Sequence, residues 1–166
     1  MSDLVPLPAI SRIHLDELSD ATGIFQHAIL SVPDPAHGYC TDDVARAVQV
    51  DLLHARVIGW PAVSESAWRG LRFLGEAYDA DAGRFRNFRD SGRAWIGGTG
   101  SEDSQGRAMH ALGDAAAAPD PVFAAQAKAM FEHALPGMRG LRAIRAVASL
   151  VLGCEAAARA GTGREA

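Results

Sequence analysis

Apolar residues recur at helical spacing from Thr41 onwards. Val44, Val48 and Leu52 are four apart, Ala45 joins Val48 at three, and Leu53 widens the stripe. The stripe is cut at Gly59-Trp60-Pro61 and restarts near Ser64, where Ala67, Leu71, Leu74 and Tyr78 share a face flanked by Trp68 and Phe73. Two helices with so short a connection must fold back on each other as a hairpin. Trp60 and Trp68 read as packing within it.

The same pattern accounts for most of the remaining chain. Ile10, Ile13 and Leu18 allow a short helix that stops before Gly23. Ile24 to Leu30 is too short for periodicity to decide between extended chain and a helical turn, and Pro33 and Pro35 force a loop after it. A helix capped by Ser101 runs through Ala108 and Leu112 to Gly113. Another opens at Pro119-Asp120-Pro121, uses Val122, Phe123, Ala127, Met130 and Phe131, and ends at Pro136-Gly137. The last, about 141–158, is expected to bury Ile144, Val147, Ala148, Val151 and Leu152. Residues 79–100 read as a long loop folded back by Phe85 and Phe88, and long ordered loops in compact domains are usually functional. No segment reads as an independent strand, so the expected fold class is all-α, built from helical hairpins. Residues 1–160 are expected to form a single domain and 161–166 a disordered tail.

Composition narrows the setting. At 166 residues, with 48% hydrophobic and 22% charged residues, the chain can bury a core. A net charge of -4 and no basic stripe argue against nucleic acid. No apolar run is long enough to cross a membrane, and Met1 to Pro6 lacks the features of a secretory signal, so the expected compartment is cytoplasmic. Cys40 and Cys154 lack metal-ligand spacing and read as buried free thiols.

Two helix starts carry a hydroxyl-acid-acid triplet followed by Arg-Ala: Thr41-Asp42-Asp43 with Arg46-Ala47, and Ser101-Glu102-Asp103 with Arg107-Ala108. A third Arg-Ala, Arg145-Ala146, lacks the acids, and the three copies suggest a hairpin unit used repeatedly. Helix capping by Thr41 and Ser101, with acids offsetting the helix dipole, explains part of the pattern. It leaves one acid of each pair over. Asp42 with Arg46 and Asp103 with Arg107 have the i,i+4 spacing of helical ion pairs, so Asp43 and Glu102 are the freer carboxylates. Two carboxylates on separate helices are the minimum equipment for general acid/base cleavage of a glycosidic bond. His37, Tyr39 and Trp95 beside them offer the flat, polar-edged faces that sugars stack on. The candidate catalytic residues are therefore Asp43 and Glu102, with His37, Tyr39, Asp42, Trp95, Asp103, Arg46 and Arg107 as substrate-binding residues. His14, His27, His54, His110 and His133 read as surface or satisfied interior residues. The acids lack a histidine set or a calcium-loop spacing, Gly97 to Ser101 lacks a phosphate-loop lysine, and no nucleophile triad has a local signature, so neither metal nor cofactor is expected.

The runs His27-Ala28 through Ser31-Val32-Pro33-Asp34, His37-Gly38-Tyr39-Cys40-Thr41-Asp42-Asp43 with Ala45-Arg46-Ala47, Arg84-Phe85-Arg86-Asn87-Phe88, and Gly100-Ser101-Glu102-Asp103-Ser104 with Gly106-Arg107-Ala108 give the chain a family resemblance. From about Ile10 to Gly153 it resembles the (α/α) toroid region that follows a nucleotide-sugar-dependent glycosyltransferase domain in bacterial proteins, a region similar to the six-hairpin glycosidase superfamily. Val44 stands where that family often has Asn, and Gln105 where it has His. The resemblance implies a sugar-related role and places the four acids at the mouth of a toroid. The chain supplies about half of the helices a ring of six hairpins needs, so the expected architecture is part of an (α/α)6 toroid. The expected function is carbohydrate binding, or hydrolysis by Asp43 and Glu102. The alternative is a non-catalytic accessory module of a glycosyltransferase. The expected partners are a glycan and either a glycosyltransferase domain or a second copy that completes the ring, with neither nucleic acid nor membrane.

Overall fold

The computed structural model describes residues 9–162, so Met1 to Pro6, read above as lacking a secretory signal, and the last four residues of the expected tail lie outside the described residues. The order is α1 (Ile13–Glu17), β1 (Ala28–Ile29), β2 (Val32–Pro33), β3 (Tyr39–Cys40), α2 (Thr41–Ile58), α3 (Ser64–Ala77), β4 (Tyr78–Asp79), β5 (Arg84–Arg89), β6 (Trp95–Thr99), α4 (Glu102–Ala115), α5 (Pro121–Ala134) and α6 (Ile144–Thr162). Gly161 and Thr162, expected in the tail, belong to α6.

The helices form two layers. Asp42 approaches Arg107 and, two turns further along both helices, Gln49 donates to Asp114 at 2.7 Å, so α2 and α4 run parallel. Gly106 meets the Ala146 backbone and Gly113 the Gly153 backbone, again two turns apart, so α6 runs parallel to α4. Behind this layer α3 backs α2 through Gly70 on Val48, and Trp60 and Trp68 set their edges on Phe123 of α5. The core between the layers holds Val44, Val48, Leu71, Leu74, Met109, Leu112, Phe123 and Phe131.

The all-α expectation is overturned by two antiparallel sheets, which make the fold mixed α/β. One is the hairpin of β1 and β2. The other is four-stranded and centred on β5, with β6 along one edge and β3 and β4 sharing the other. The region expected to be a loop is therefore β5 and β6. Gln105, buried on α4, fixes the start of β5: its Oε1 accepts the Phe85 N–H and its Nε2 donates to the Phe85 carbonyl, both at 2.8 Å. The sheet lies against the N-terminal ends of the parallel helices, because β3 runs directly into α2 and β6 leads into α4.

The buried side of α6 also differs from expectation. Ala146 and Gly153 are buried, with Leu150, Cys154 and Ala157 packed partly behind them, whereas Ile144 (87% exposed), Val147, Ala148, Val151 and Leu152 face outward. Helix backbones that touch at Gly106 and Gly113 leave room only for small residues between them. Leu53, expected in the stripe of α2, is exposed as well. Among the described residues no helix is long and apolar enough to cross a membrane.

Candidate functional site at the helix mouths

The two triplets open α2 and α4 at the same end of the helix layer. Ser101 is an N-cap, its Oγ accepting the Ser104 N–H at 3.3 Å. Thr41 is not: it is fully buried and donates its hydroxyl to the Arg86 carbonyl at 2.6 Å, tying α2 to β5. The helix instead begins after extended Cys40, as expected of a chain arriving from a strand.

The i,i+4 pairs form. Arg46 Nη2 lies 3.1 Å from Asp42 Oδ2, and Arg107 Nε lies 3.1 Å from Asp103 Oδ2. Arg46 also takes Asp43, so Asp43 is not left unpaired. Two cross-links join the helices: Arg107 Nε is 4.0 Å from Asp42 Oδ2, and Arg145 Nε is 3.6 Å from Asp103 Oδ1. The mouth is thus a ladder of three carboxylates, Asp42, Asp43 and Asp103, interleaved with three guanidiniums, Arg46, Arg107 and Arg145. Asp103 Oδ1 is buried and makes no hydrogen bond. Burial, reinforced by Asp42, raises the Asp43 carboxyl above its ordinary range, and Arg46, His27 and Arg107 act against that rise.

Glu102 is engaged elsewhere. Its Oε2 accepts the N–H groups of Ala143 at 2.5 Å and Arg142 at 2.6 Å, just ahead of α6. Those two backbone donors hold its carboxyl below the ordinary value. It ties the start of α6 to α4 rather than standing opposite Asp43 as a spare carboxylate.

The expected stacking faces are mostly covered. Tyr39 is 2% exposed, stacked on Phe25, and donates its hydroxyl to Asp20 at 2.7 Å. Burial comes first and the Asp20 bond second in raising the Tyr39 hydroxyl above its ordinary value. Trp95 sets its edge on Phe73 and lies under the Arg89 guanidinium. His37 is open, with Nε2 3.5 Å from Asp34 Oδ2 and its ring 4.4 Å from that of His27. Cys40, Asp42 and Asp43 offer potential metal ligands within 4.8 Å of one another. Burial and the thiol's bond to Asp42 push Cys40 up to about 12, however, and Arg46 already neutralises the carboxylates, so the donor set fits a metal poorly.

His27 and Arg145 are site residues the sequence reading missed. The third Arg-Ala copy was the available signal for Arg145, and for His27 it was the place at the head of the motif run that ends at Asp34, although only the fold brings it near Asp43. Compared with known proteins, the chain matches no family model, no curated protein and no solved structure.

Proposed function

We propose that the helix mouth binds a neutral carbohydrate and that the chain works by recognition, as an accessory module presenting a glycan to a glycosyltransferase. The observation that carries this reading is the balanced ladder itself: three carboxylates meet three guanidiniums, so the site has little net charge to offer a metal ion or a phosphate. It offers alternating planar acceptors and donors instead, which suit the vicinal hydroxyls of a sugar ring. The Asp103 oxygen that lacks a hydrogen bond is an acceptor such a hydroxyl would satisfy once the exposed Arg145 side chain swings aside. The resemblance of the motifs to a glycosyltransferase-associated region points the same way.

A second reading, glycosidic hydrolysis, is favoured by one observation. Burial raises the Asp43 carboxyl at the mouth of α2, the direction a general acid requires. Calorimetric titration with a panel of neutral oligosaccharides tests the first reading. Binding that weakens at least tenfold in Arg107→Ala and changes little with salt supports it, and no binding to any member overturns it. Release of reducing sugar by the parent protein, lost in Asp43→Asn while binding persists, would establish the second reading instead.

A further inference from the structure

A hollow of about 200 Å³ between α3, the segment joining α1 to β1 and the turn from β5 to β6 collects three arginines from separate parts of the chain. Arg72 comes from α3, Arg89 from the end of β5 and Arg93 from the turn. In a chain of net charge -4 such a gathering of one sign calls for a reason. The ladder balances its charges, and this hollow does not. Glu76 pairs with Arg89. Asp20 feels the charge of Arg93 but is engaged by the Tyr39 hydroxyl at 2.7 Å and by the N–H groups of Thr22 and Gly23. Among the described residues the guanidiniums of Arg72 and Arg93 make no hydrogen bond or ion pair.

The fold sets these groups in place ahead of any ligand. The Arg89 side chain is only 15% exposed, with its guanidinium over the rings of Phe73 and Trp95. Its Nε donates to the Arg93 carbonyl at 2.8 Å and its Nη1 to Glu76, which leaves the Nη2 donors for something else. Arg93 has φ +70°, in the left-handed region an arginine rarely adopts, and the Arg93 and Ala94 N–H groups both donate to Asp90. Gly92 stands one residue earlier, so the turn carries an arginine at the strained position and the permissive residue beside it.

Thr22 lines the same hollow. It is 9% exposed, and its Oγ1, close enough to Tyr39 to act on that hydroxyl, makes no hydrogen bond. A buried hydroxyl without a partner costs stability. An anion in the hollow would satisfy the hydroxyl and the surplus of positive charge together.

We propose that the hollow binds a phosphate dianion, free or as the head of a small phosphomonoester, with Arg72, Arg89 and Arg93 as charged donors and the Thr22 hydroxyl as a neutral one. Guanidiniums arriving from three sides suit a tetrahedral group with oxygens in several directions better than a planar carboxylate. Three arginines less Glu76 leave two positive charges, which match the two negative ones of the dianion. The site shares no residue with the ladder, so it stands whether or not the ladder holds a sugar.

Calorimetric titration with inorganic phosphate, glycerol 2-phosphate and acetate, at pH 8 and constant ionic strength, tests the proposal. Phosphate should bind with a dissociation constant of about 1 mM or below, and about tenfold or more tightly than acetate. Arg72→Ala and Arg93→Gly should each weaken phosphate binding about tenfold, glycine keeping the left-handed turn. Thr22→Val should weaken it roughly threefold or more and leave the melting temperature at or above that of the parent, because the hydroxyl it removes has no partner. Glycerol 2-phosphate binding as tightly as inorganic phosphate supports a phosphorylated small molecule as the ligand, and binding of inorganic phosphate alone supports the free anion. A parent protein that does not bind phosphate, or binds acetate equally well, overturns the proposal. So does phosphate affinity unchanged in both arginine variants. Phosphate binding lost in Arg107→Ala but kept in Arg72→Ala would put the anion at the ladder and overturn it as well.

Discussion

Replacing Gly113 with alanine tests whether α6 is held by backbone contact with α4. A Cβ at this position would lie 2.6 Å from the Gly153 Cα and closer still to the Gly153 carbonyl oxygen. Both obstacles are backbone, so no side chain can turn away, and the helices must separate. Overpacking costs about 1–3 kcal/mol, and an encounter with rigid backbone belongs at the upper end. Alanine returns about 1 kcal/mol of helix propensity over glycine. The net loss is then about 2 kcal/mol, a fall in melting temperature of roughly 4–8 °C for a domain of this size. Gly75 on α3 supplies the control: the nearest atom to an added Cβ is the flexible Met130 Cε at 3.4 Å, so Gly75→Ala keeps the propensity gain without the clash. Thermal melts followed by far-ultraviolet circular dichroism should show Gly113→Ala well below the parent and Gly75→Ala at or slightly above it. A Gly113→Ala protein as stable as the parent would refute backbone-to-backbone docking of the two helices.

Other consequences concern ionised groups. Asp51 is buried and meets Arg12 Nη2 at 2.6 Å, so Arg12→Ala should cost about 3–5 kcal/mol at neutral pH in urea unfolding. Burial already holds the Asp51 carboxyl above its unfolded value, so its contribution to stability is present at acid pH and is lost as pH rises through the folded value. The deficit of the variant should therefore grow from acid to neutral pH, and a deficit independent of pH would show that Asp51 does not sense Arg12. Glu102 has the opposite sign: its carboxyl is lowered, so the stability it confers is present above the ordinary glutamate range and is lost as pH falls through the folded value. Melting temperatures of Glu102→Gln and the parent should differ at neutral pH and converge on acidification, whereas a constant gap would argue that its charge is irrelevant. The Cys40 thiol, buried and pushed up to about 12, should resist alkylation in the folded protein while the more accessible Cys154 reacts, with mass spectrometry reporting which site is modified first.

The bounds of α2 and α3 were legible because long apolar stripes end at Gly59 and restart beside Ser64. The sheet was not legible. β3 is only two residues long, and its partners Phe88 and Arg89 lie far along the chain, so no local pattern announces the pairing. Phe85 and Phe88, three residues apart, point to opposite faces of β5, one buried and one exposed, so they do not form the apolar stripe that marks a strand, and the register shifts between Arg86 and Phe88 as well. Tyr39 looked like a sugar platform because its neighbours are polar and glycine-rich, yet the Asp20 carboxylate satisfies its hydroxyl and lets the ring enter the core. On α6 hydrophobicity misled outright, since the close approach of two backbones selects for small size over apolar character.

The duplicated triplet has a structural logic that neither copy shows alone. In α2 and α4 the acid at the second helical position pairs with the arginine at the sixth, and each such acid is also approached by an arginine of the next helix in the parallel layer: Asp42 by Arg107 of α4, Asp103 by Arg145 of α6. One acid per unit therefore serves two arginines, which explains why acids and arginines recur together. The third unit has its arginine but no acid in its first turn. Glu102 makes up the deficit, reaching from α4 to the backbone N–H groups just ahead of α6. The extra acid in the second triplet is thereby accounted for by a neighbouring helix that brings none. Only Asp43 remains without a counterpart in the repeat, and burial raises its proton affinity. That asymmetry singles out the α2 end of the ladder, beside His27, as the place where the mouth departs from repeated scaffold.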